Sequence, residues 1–358
     1  MDQTVKKTID RDGLQDRFAG FVATLGRGPG RSRALTREEA REAFGMALRG
    51  DADPAQVGAF LMLLRYRGED LAEITGLIEA ARDEAGLGRA GVAAGFPVVD
   101  LDWPSYGAGR TRGAPWFLLS ALALAQSGMR VLMHGSNEFS GGLSVDSVLP
   151  SLGLAACRDA GCVAGCLQRD RFAYWPVAAM APRVGDFLAM RRLFGLRSPV
   201  NTVARLLDPA DAAASVDGVF HPPYIALHLG VAALLERPAL LVLKGGGGEA
   251  ERSPGKDIAV HLQFAGAPPR ELLLPALQPT GPRGDPSADS AATMLRVWHD
   301  RDEADPLLST ARNTVVGTIA MALLATAQPD RAPDPEHADQ TARAIWHRRA
   351  TQPASSAG

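Results

Sequence analysis

The chain has 358 residues, 46% of them hydrophobic, with 38 Lys and Arg against 40 Asp and Glu for a formal charge of −2. That length suits about two domains with a sizeable core, and the near balance of charge excludes a uniformly basic nucleic-acid binder while allowing a local basic groove. No basic segment followed by an apolar run opens the chain, and no uninterrupted apolar stretch approaches the ~20 residues that span a bilayer, so a cytoplasmic protein with no membrane partner is expected.

Residues 1–33 mix charges and end in Gly26-Arg27-Gly28-Pro29-Gly30-Arg31, which reads as a loop or flexible lead-in. Thr36 with Glu39 three residues on is a capping box and predicts a helix to about Arg49. Asp53 before Pro54 predicts a second helix through Phe60, Leu61 and Leu64. A third spans about Asp70 to Ala85, with Ile74, Leu77, Ile78 and Ala81 on one face and Gly86 as its stop. Together they predict a small N-terminal helical domain over residues 1–92.

From Val92 onward short apolar runs alternate with helix-length ones. Val98–Leu101, Val131–Met133 and Leu240–Leu243 predict strands of a mostly parallel sheet. The fold class is therefore α/β, a small helical domain followed over residues 93–330 by a larger domain with a mostly parallel central sheet flanked by helices. Residues 265–288, rich in Pro and Gly, read as loops; residues 331–358 hold a helix over about 337–349 and a tail, Thr351 to Gly358, that reads as disordered.

Three cysteines, Cys157, Cys162 and Cys166, fit a reducing compartment; with no paired CxxC and no nearby His they read as buried structural thiols, not a metal site. The stretch from Asp102 to Trp116 holds Gly107, Gly109, Arg110, Thr111, Arg112 and Gly113 between the strand-like Phe96–Leu101 and the helix-like Phe117–Ala125. A glycine-rich strand-to-helix turn exposes N–H groups at the positive end of a helix dipole, and two arginines inside it suit phosphate. A tight turn in any α/β sheet has the same composition.

The helical opening Leu35-Thr36-Arg37-Glu38-Glu39-Ala40, then Asp53-Pro54-Ala55-Gln56-Val57-Gly58-Ala59-Phe60-Leu61-Met62 and Arg67-Gly68-Glu69-Asp70, resembles the N-terminal domain of anthranilate phosphoribosyltransferase and the pyrimidine nucleoside phosphorylases. The resemblance continues through His134-Gly135, Arg191–Ser198 and Leu206-Leu207-Asp208-Pro209, over roughly residues 15–325. It implies the fold, a homodimer formed through the helical domain, and a cleft for phosphoribosyl pyrophosphate.

The motifs depart from that family where its chemistry lies. The GTGGD turn is replaced by Gly107-Ala108-Gly109-Arg110-Thr111-Arg112, and Leu118 stands at the family's asparagine. KHGN becomes Met133-His134-Gly135-Ser136, and of the polar set that follows only Ser140 is retained. The Asp-Glu pair that holds magnesium in the family falls in Lys244-Gly245-Gly246-Gly247-Gly248-Glu249-Ala250-Glu251-Arg252, where Glu251 matches the glutamate, Ala250 replaces the aspartate and Glu249 is the one substitute ligand. Losing one carboxylate and gaining cations weakens a site for a hard cation.

Each departure adds a cation or aromatic. Arg183, Arg191, Arg192, Arg197 and Arg205 are five arginines against one acid, Asp186. Arg183 and Arg192 read as a solvated face, whereas Arg110, Arg112, Arg197, Arg205 and Lys244 map onto the family's cleft, with Arg252 beside them. Trp103 and Tyr106 read as stacking residues in the loop, Trp116 and Phe117 as core, His221 and His228 as structural. His134 is either cleft-lining or structural.

The pattern resembles a branch of anthranilate-phosphoribosyltransferase-like proteins, distinct from the tryptophan-biosynthesis enzyme, that binds nucleic acid. The leading expectation is therefore a homodimer binding DNA or RNA without sequence preference, through phosphate contacts of Gly107, Gly109, Arg110, Thr111, Arg112, His134, Arg191, Arg197, Arg205, Lys244 and Arg252, with no cofactor and no metal site. The alternative is a phosphoribosyl or pentosyl transferase with an altered donor site, in which Arg191 meets the acceptor and magnesium depends on Glu249 and Glu251. A third reading is a small-anion or nucleotide sensor.

Overall fold

The computed structural model describes residues 3–28, 30–88, 95–107, 113–136, 141–279, 290–300, 306–327 and 332–350. Gly109, Arg110, Thr111, Arg112 and Ser140, much of the 265–288 stretch beyond residue 279, and the Thr351–Gly358 tail lie outside them.

In chain order the elements are α1 (Gln3–Gly26), α2 (Arg37–Arg49), α3 (Pro54–Arg67), α4 (Leu71–Ala85), β1 (Leu101–Ser105), α5 (Trp116–Gln126), β2 (Val131–Gly135), α6 (Val145–Val148), α7 (Ala160–Arg169), β3 (Phe172–Pro176) and α8 (Val177–Met180). There follow α9 (Pro182–Ala189), α10 (Arg191–Phe194), α11 (Val200–Arg205), β4 (Ala214–Val219), α12 (Pro223–Leu234), β5 (Ala239–Lys244), β6 (Ile258–Phe264), β7 (Arg270–Leu274), α13 (Ala291–His299), α14 (Pro306–Ala325) and α15 (Pro335–Arg348). They form two compact units, one of Met1–Val92 with Ala181–Pro209, the other of Ala93–Met180 with Ala210–Gly358. Residues 181–209, placed by sequence in the larger domain, thus group with the helical one.

In the first unit, α1 corrects the expected lead-in. Phe18, Phe21 and Leu25 recur at helical spacing and are buried, with Phe18 edge-on to Phe60 of α3 at 5.4 Å. The three helices read from capping signals start on Thr36, Asp53 and Asp70, and α4 stops on Gly86 in the left-handed conformation. Helices α2 and α4 pack backbone to backbone, because a Cβ on Gly76 would meet the carbonyl oxygen of Arg37 at 2.2 Å. From the later stretch, Phe187 of α9 packs on Phe44 of α2 at 5.8 Å, and Arg82 of α4 donates to the carbonyls of Leu207 and Asp208.

The second unit is built on a seven-stranded sheet of order β3-β2-β1-β4-β5-β6-β7. The first five of these strands are parallel, while β6 pairs antiparallel with β5 and β7 antiparallel with β6. β7 corrects the reading of 265–288 as loops throughout; its Leu272-Leu273-Leu274 run is short and lies in a Pro- and Gly-rich stretch, and on this sheet edge Arg270, Glu271 and Leu273 face solvent. Leu308–Ala325 of α14 is long and apolar enough to cross a membrane, yet 78% of that stretch is buried inside the protein. It is the core helix of this unit, and Ser120 of α5 donates to the Val315 carbonyl at 3.0 Å. Cys157 is buried, but Cys162 is exposed and Cys166 half-buried, which corrects the expectation of three buried thiols.

Candidate functional site

In the sheet of the second unit the chain winds from β1 to β2 and β3 on one side, then returns to lay β4 and β5 on the other. Ligands of parallel α/β sheets lodge beyond the carboxyl ends of strands at such a reversal. The carboxyl ends here present Tyr106 and Gly107 after β1, His134 in β2, Phe220 and His221 after β4, and Lys244 in β5.

Apolar patterning placed a strand over Val98–Leu101, but β1 runs Leu101–Ser105, since Asp102 and Ser105 are as buried as the apolar residues between them. The shift corrects the reading of Trp103 and Tyr106 as loop-borne stacking residues. Trp103 lies in the strand with no exposed surface, stacked on Phe117 at 6.3 Å, and Tyr106 is 4% exposed.

Asp102 and Pro104 share the β1 face opposite Trp103, and Pro104 is in register with His134. His134 is fully buried, with its Nδ1 2.9 Å from the Tyr106 hydroxyl and its Nε2 3.4 Å from Oδ1 of Asp102, itself 1% exposed. An imidazole between a phenol and a carboxylate can take a proton from one side while the other stabilises the resulting charge. Sequence reasoning missed Asp102; its signal was a carboxylate alternating with Leu101 and Trp103 in a central strand, where a solvated acid has no place.

At the end of β5, Lys244 is exposed and the chain folds back tightly: a Cβ on Gly245 would lie 1.6 Å from the Glu249 carbonyl oxygen. Glu249 is 1% exposed and Ala250 is fully buried. Pro115 gives α5 no capping side chain, and Oε2 of Glu251 instead accepts from the Phe117 N–H at 3.0 Å. Arg252 is corrected from phosphate ligand to framework. It is 1% exposed, pairs with Asp339 at 3.0 Å and donates to the Pro275 carbonyl at 2.9 Å; burial pushes its guanidinium pKa down, opposed by the Asp339 charge.

These residues do not fit the magnesium ion that the resemblance implies. The aspartate position is a buried methyl, Glu251 is turned to a helix start, Glu249 is packed inside, and a buried cation follows. The same contact takes the N–H of Phe117, while Gly109, Arg110, Thr111 and Arg112 of the turn lie outside the described residues.

Of the other expected ligands, Gly107 is buried at the end of β1, while Arg191, Arg197 and Arg205 are half-buried in the first unit on α10, before α11 and at the end of α11. Arg183 is less free than a solvated face suggests: it donates to the Leu48 carbonyl at 3.0 Å, pairs with Asp186 at 2.9 Å and lies over the Phe187 ring. His228 of α12 is buried 2.7 Å from Oδ2 of Asp217, the structural role expected of it.

Residues 21–85 match the helical bundle domain of the glycosyl transferase family. The anthranilate phosphoribosyltransferase of Methylobacterium nodulans is 30% identical over 284 residues, 77% of this chain and 81% of that enzyme. The Mesorhizobium japonicum enzyme of the same name is 31% identical over 54% of this chain, and the match spans only 55% of that enzyme's length. The solved anthranilate phosphoribosyltransferase of Saccharomyces cerevisiae in complex with PRPP and Mg shares the fold with a TM-score of 0.71 at 15% identity, over 93% of this chain and 94% of that one. These matches overturn the expectation of a nucleic-acid binder: the proteins this chain resembles over most of its length are substrate-binding transferases, and a basic pattern read from sequence does not outweigh them.

Proposed function

The chain belongs to the anthranilate phosphoribosyltransferase family, and from that premise we propose that it is a pentosyl transferase whose donor site is altered and does not work through a magnesium ion. The observation that carries the reading is the β5 turn. A chain that matches 81% of a phosphoribosyltransferase turns Glu251 of this stretch to the start of α5 and sets the His134 imidazole between the Tyr106 phenol and the Asp102 carboxylate at the end of β2.

In the reaction a nucleophilic nitrogen of the acceptor forms a bond to C1 of the pentose as the bond from C1 to the leaving oxygen breaks. The Tyr106 hydroxyl passes the proton released by the acceptor to His134, and Asp102 stabilises the imidazolium; a positioned acid–base group of this kind contributes roughly 10²- to 10⁴-fold. Lys244, exposed at the end of β5, offers its ammonium to the departing phosphate oxygens in place of a metal. Gly107, Gly109, Arg110, Thr111 and Arg112 complete the donor contacts. The three cysteines suit a reducing cytoplasm, and a homodimer, checked by sedimentation, belongs to the same reading.

The test is pentosyl transfer from phosphoribosyl pyrophosphate and from pentose 1-phosphates to anthranilate and a panel of aromatic nitrogen acceptors, with magnesium or with EDTA. Product formation that EDTA leaves intact is expected, and His134→Ala should lower kcat about 10²-fold. Strict magnesium dependence, or no product from any pair, sinks the proposal.

A further inference from the structure

Three sulfur atoms converge outside the site described above. Cys157 precedes α7, while Cys162 and Cys166 lie four residues apart on that helix and therefore share one face. Their Sγ atoms all lie within 4.8 Å of one another, and those of Cys157 and Cys166 are 3.7 Å apart. The placement is fixed from both sides: the N–H of Cys157 donates to the Tyr174 carbonyl of β3 at 2.8 Å, and Asp159 caps α7 by accepting from the Cys162 N–H at 2.8 Å. β3 is an edge strand of the sheet.

We infer that Cys157, Cys162 and Cys166 form a binding site for a thiophilic d10 metal ion such as Zn²⁺. Sulfurs held at about 2.3 Å from one tetrahedral ion stand about 3.8 Å apart, and the separation of Cys157 and Cys166 is 3.7 Å. An all-sulfur donor set selects soft and borderline ions over magnesium or calcium. Without a cation three adjacent thiols cannot all ionise, and burial together with its two neighbours pushes the Cys157 thiol up. A bound ion reverses that balance: three thiolates form, three protons leave to solvent, and no electron changes hands. The guanidinium of Arg169, paired with Asp170 at 2.7 Å, also brings its Nη2 to 3.6 Å from Sγ of Cys166. Cys162 is exposed, so the fourth position opens to water. The linear spacing hid this site, because the paired CxxC of common zinc motifs is replaced by one loop cysteine and an i, i+4 pair.

The test uses the full, untagged chain, reduced with a phosphine and titrated anaerobically with Cd²⁺ and then Zn²⁺. Expected are a sulfur-to-cadmium charge-transfer band that saturates at one ion per chain, its loss as Zn²⁺ displaces cadmium, proton release on binding, and slower alkylation of Cys162 in the presence of Zn²⁺. Cys162→Ser alters an exposed side chain, leaves the fold intact, and should weaken binding at least tenfold. No charge-transfer band, alkylation unchanged by Zn²⁺, or wild-type affinity in Cys162→Ser would each overturn the assignment.

Discussion

Helices α2 and α5 solve the same problem at their N-termini in opposite ways. At α2 the free N–H groups are met by a neighbour three residues off, Thr36 accepting from the Glu39 N–H while Glu39 accepts from that of Thr36. At α5 the cap position is a proline, and the acceptor for Phe117 is Glu251, 134 residues away. One carboxylate is local and legible; the other is long-range, and it comes from the position where the family keeps a metal ligand. Carboxylate chemistry alone does not tell a ligand from a strut, and what decides is which N–H or cation reaches it first.

The sharpest way to break the contrast is Ala250→Asp, which writes the family's missing aspartate back. If the β5 turn is framework, a carboxylate forced into a fully buried position should cost about 4 kcal/mol in urea unfolding and confer no magnesium binding by calorimetry. A folded variant that binds magnesium would return the turn to a metal site. Arg252→Met should cost about 3 kcal/mol, read from the same midpoint, because Asp339 loses its partner and the Pro275 carbonyl its donor; the 27% exposure of Asp339 keeps the loss below that of a fully buried pair. Thr36→Ala at the local cap should cost about 1 kcal/mol, and Glu251→Gln, which keeps an acceptor but loses the charge at the helix start, about 0.5 kcal/mol by thermal melting. The smallest effect is in pH. Arg33 holds the Glu39 carboxyl at about 2, below its ordinary 4.5, so the pair stabilises the fold above that ordinary value and the contribution fades as pH falls from 4.5 to about 2. Arg33→Ala should flatten that part of the stability profile.

The same division explains what could be read from sequence. The helices α2, α3 and α4 announce themselves because Thr36, Asp53, Asp70 and Gly86 act within a turn of where they stand. The parallel strands were visible as apolar runs, but β1 was placed to start three residues early because its burial includes Asp102 and Ser105, which break the pattern. At the site, His134 could be picked out as a residue and Asp102 could not, since their relation depends on the register of two strands. The arginine-rich reading went furthest astray at Arg252, whose partners Asp339 and Pro275 lie 87 and 23 residues on.

The helical unit is assembled from two stretches, with α9, α10 and α11 supplied by residues 181–209 after part of the sheet has been made. At a synthesis rate of 5–20 residues per second, roughly 6–25 s separate the emergence of α4 from that of the Leu207 and Asp208 carbonyls that Arg82 binds. During that interval the four leading helices wait on the ribosome with the Phe44 ring lacking its Phe187 neighbour. A fragment ending near residue 92 reproduces this nascent state, and its apolar surface should make it a chaperone client where the full chain is not.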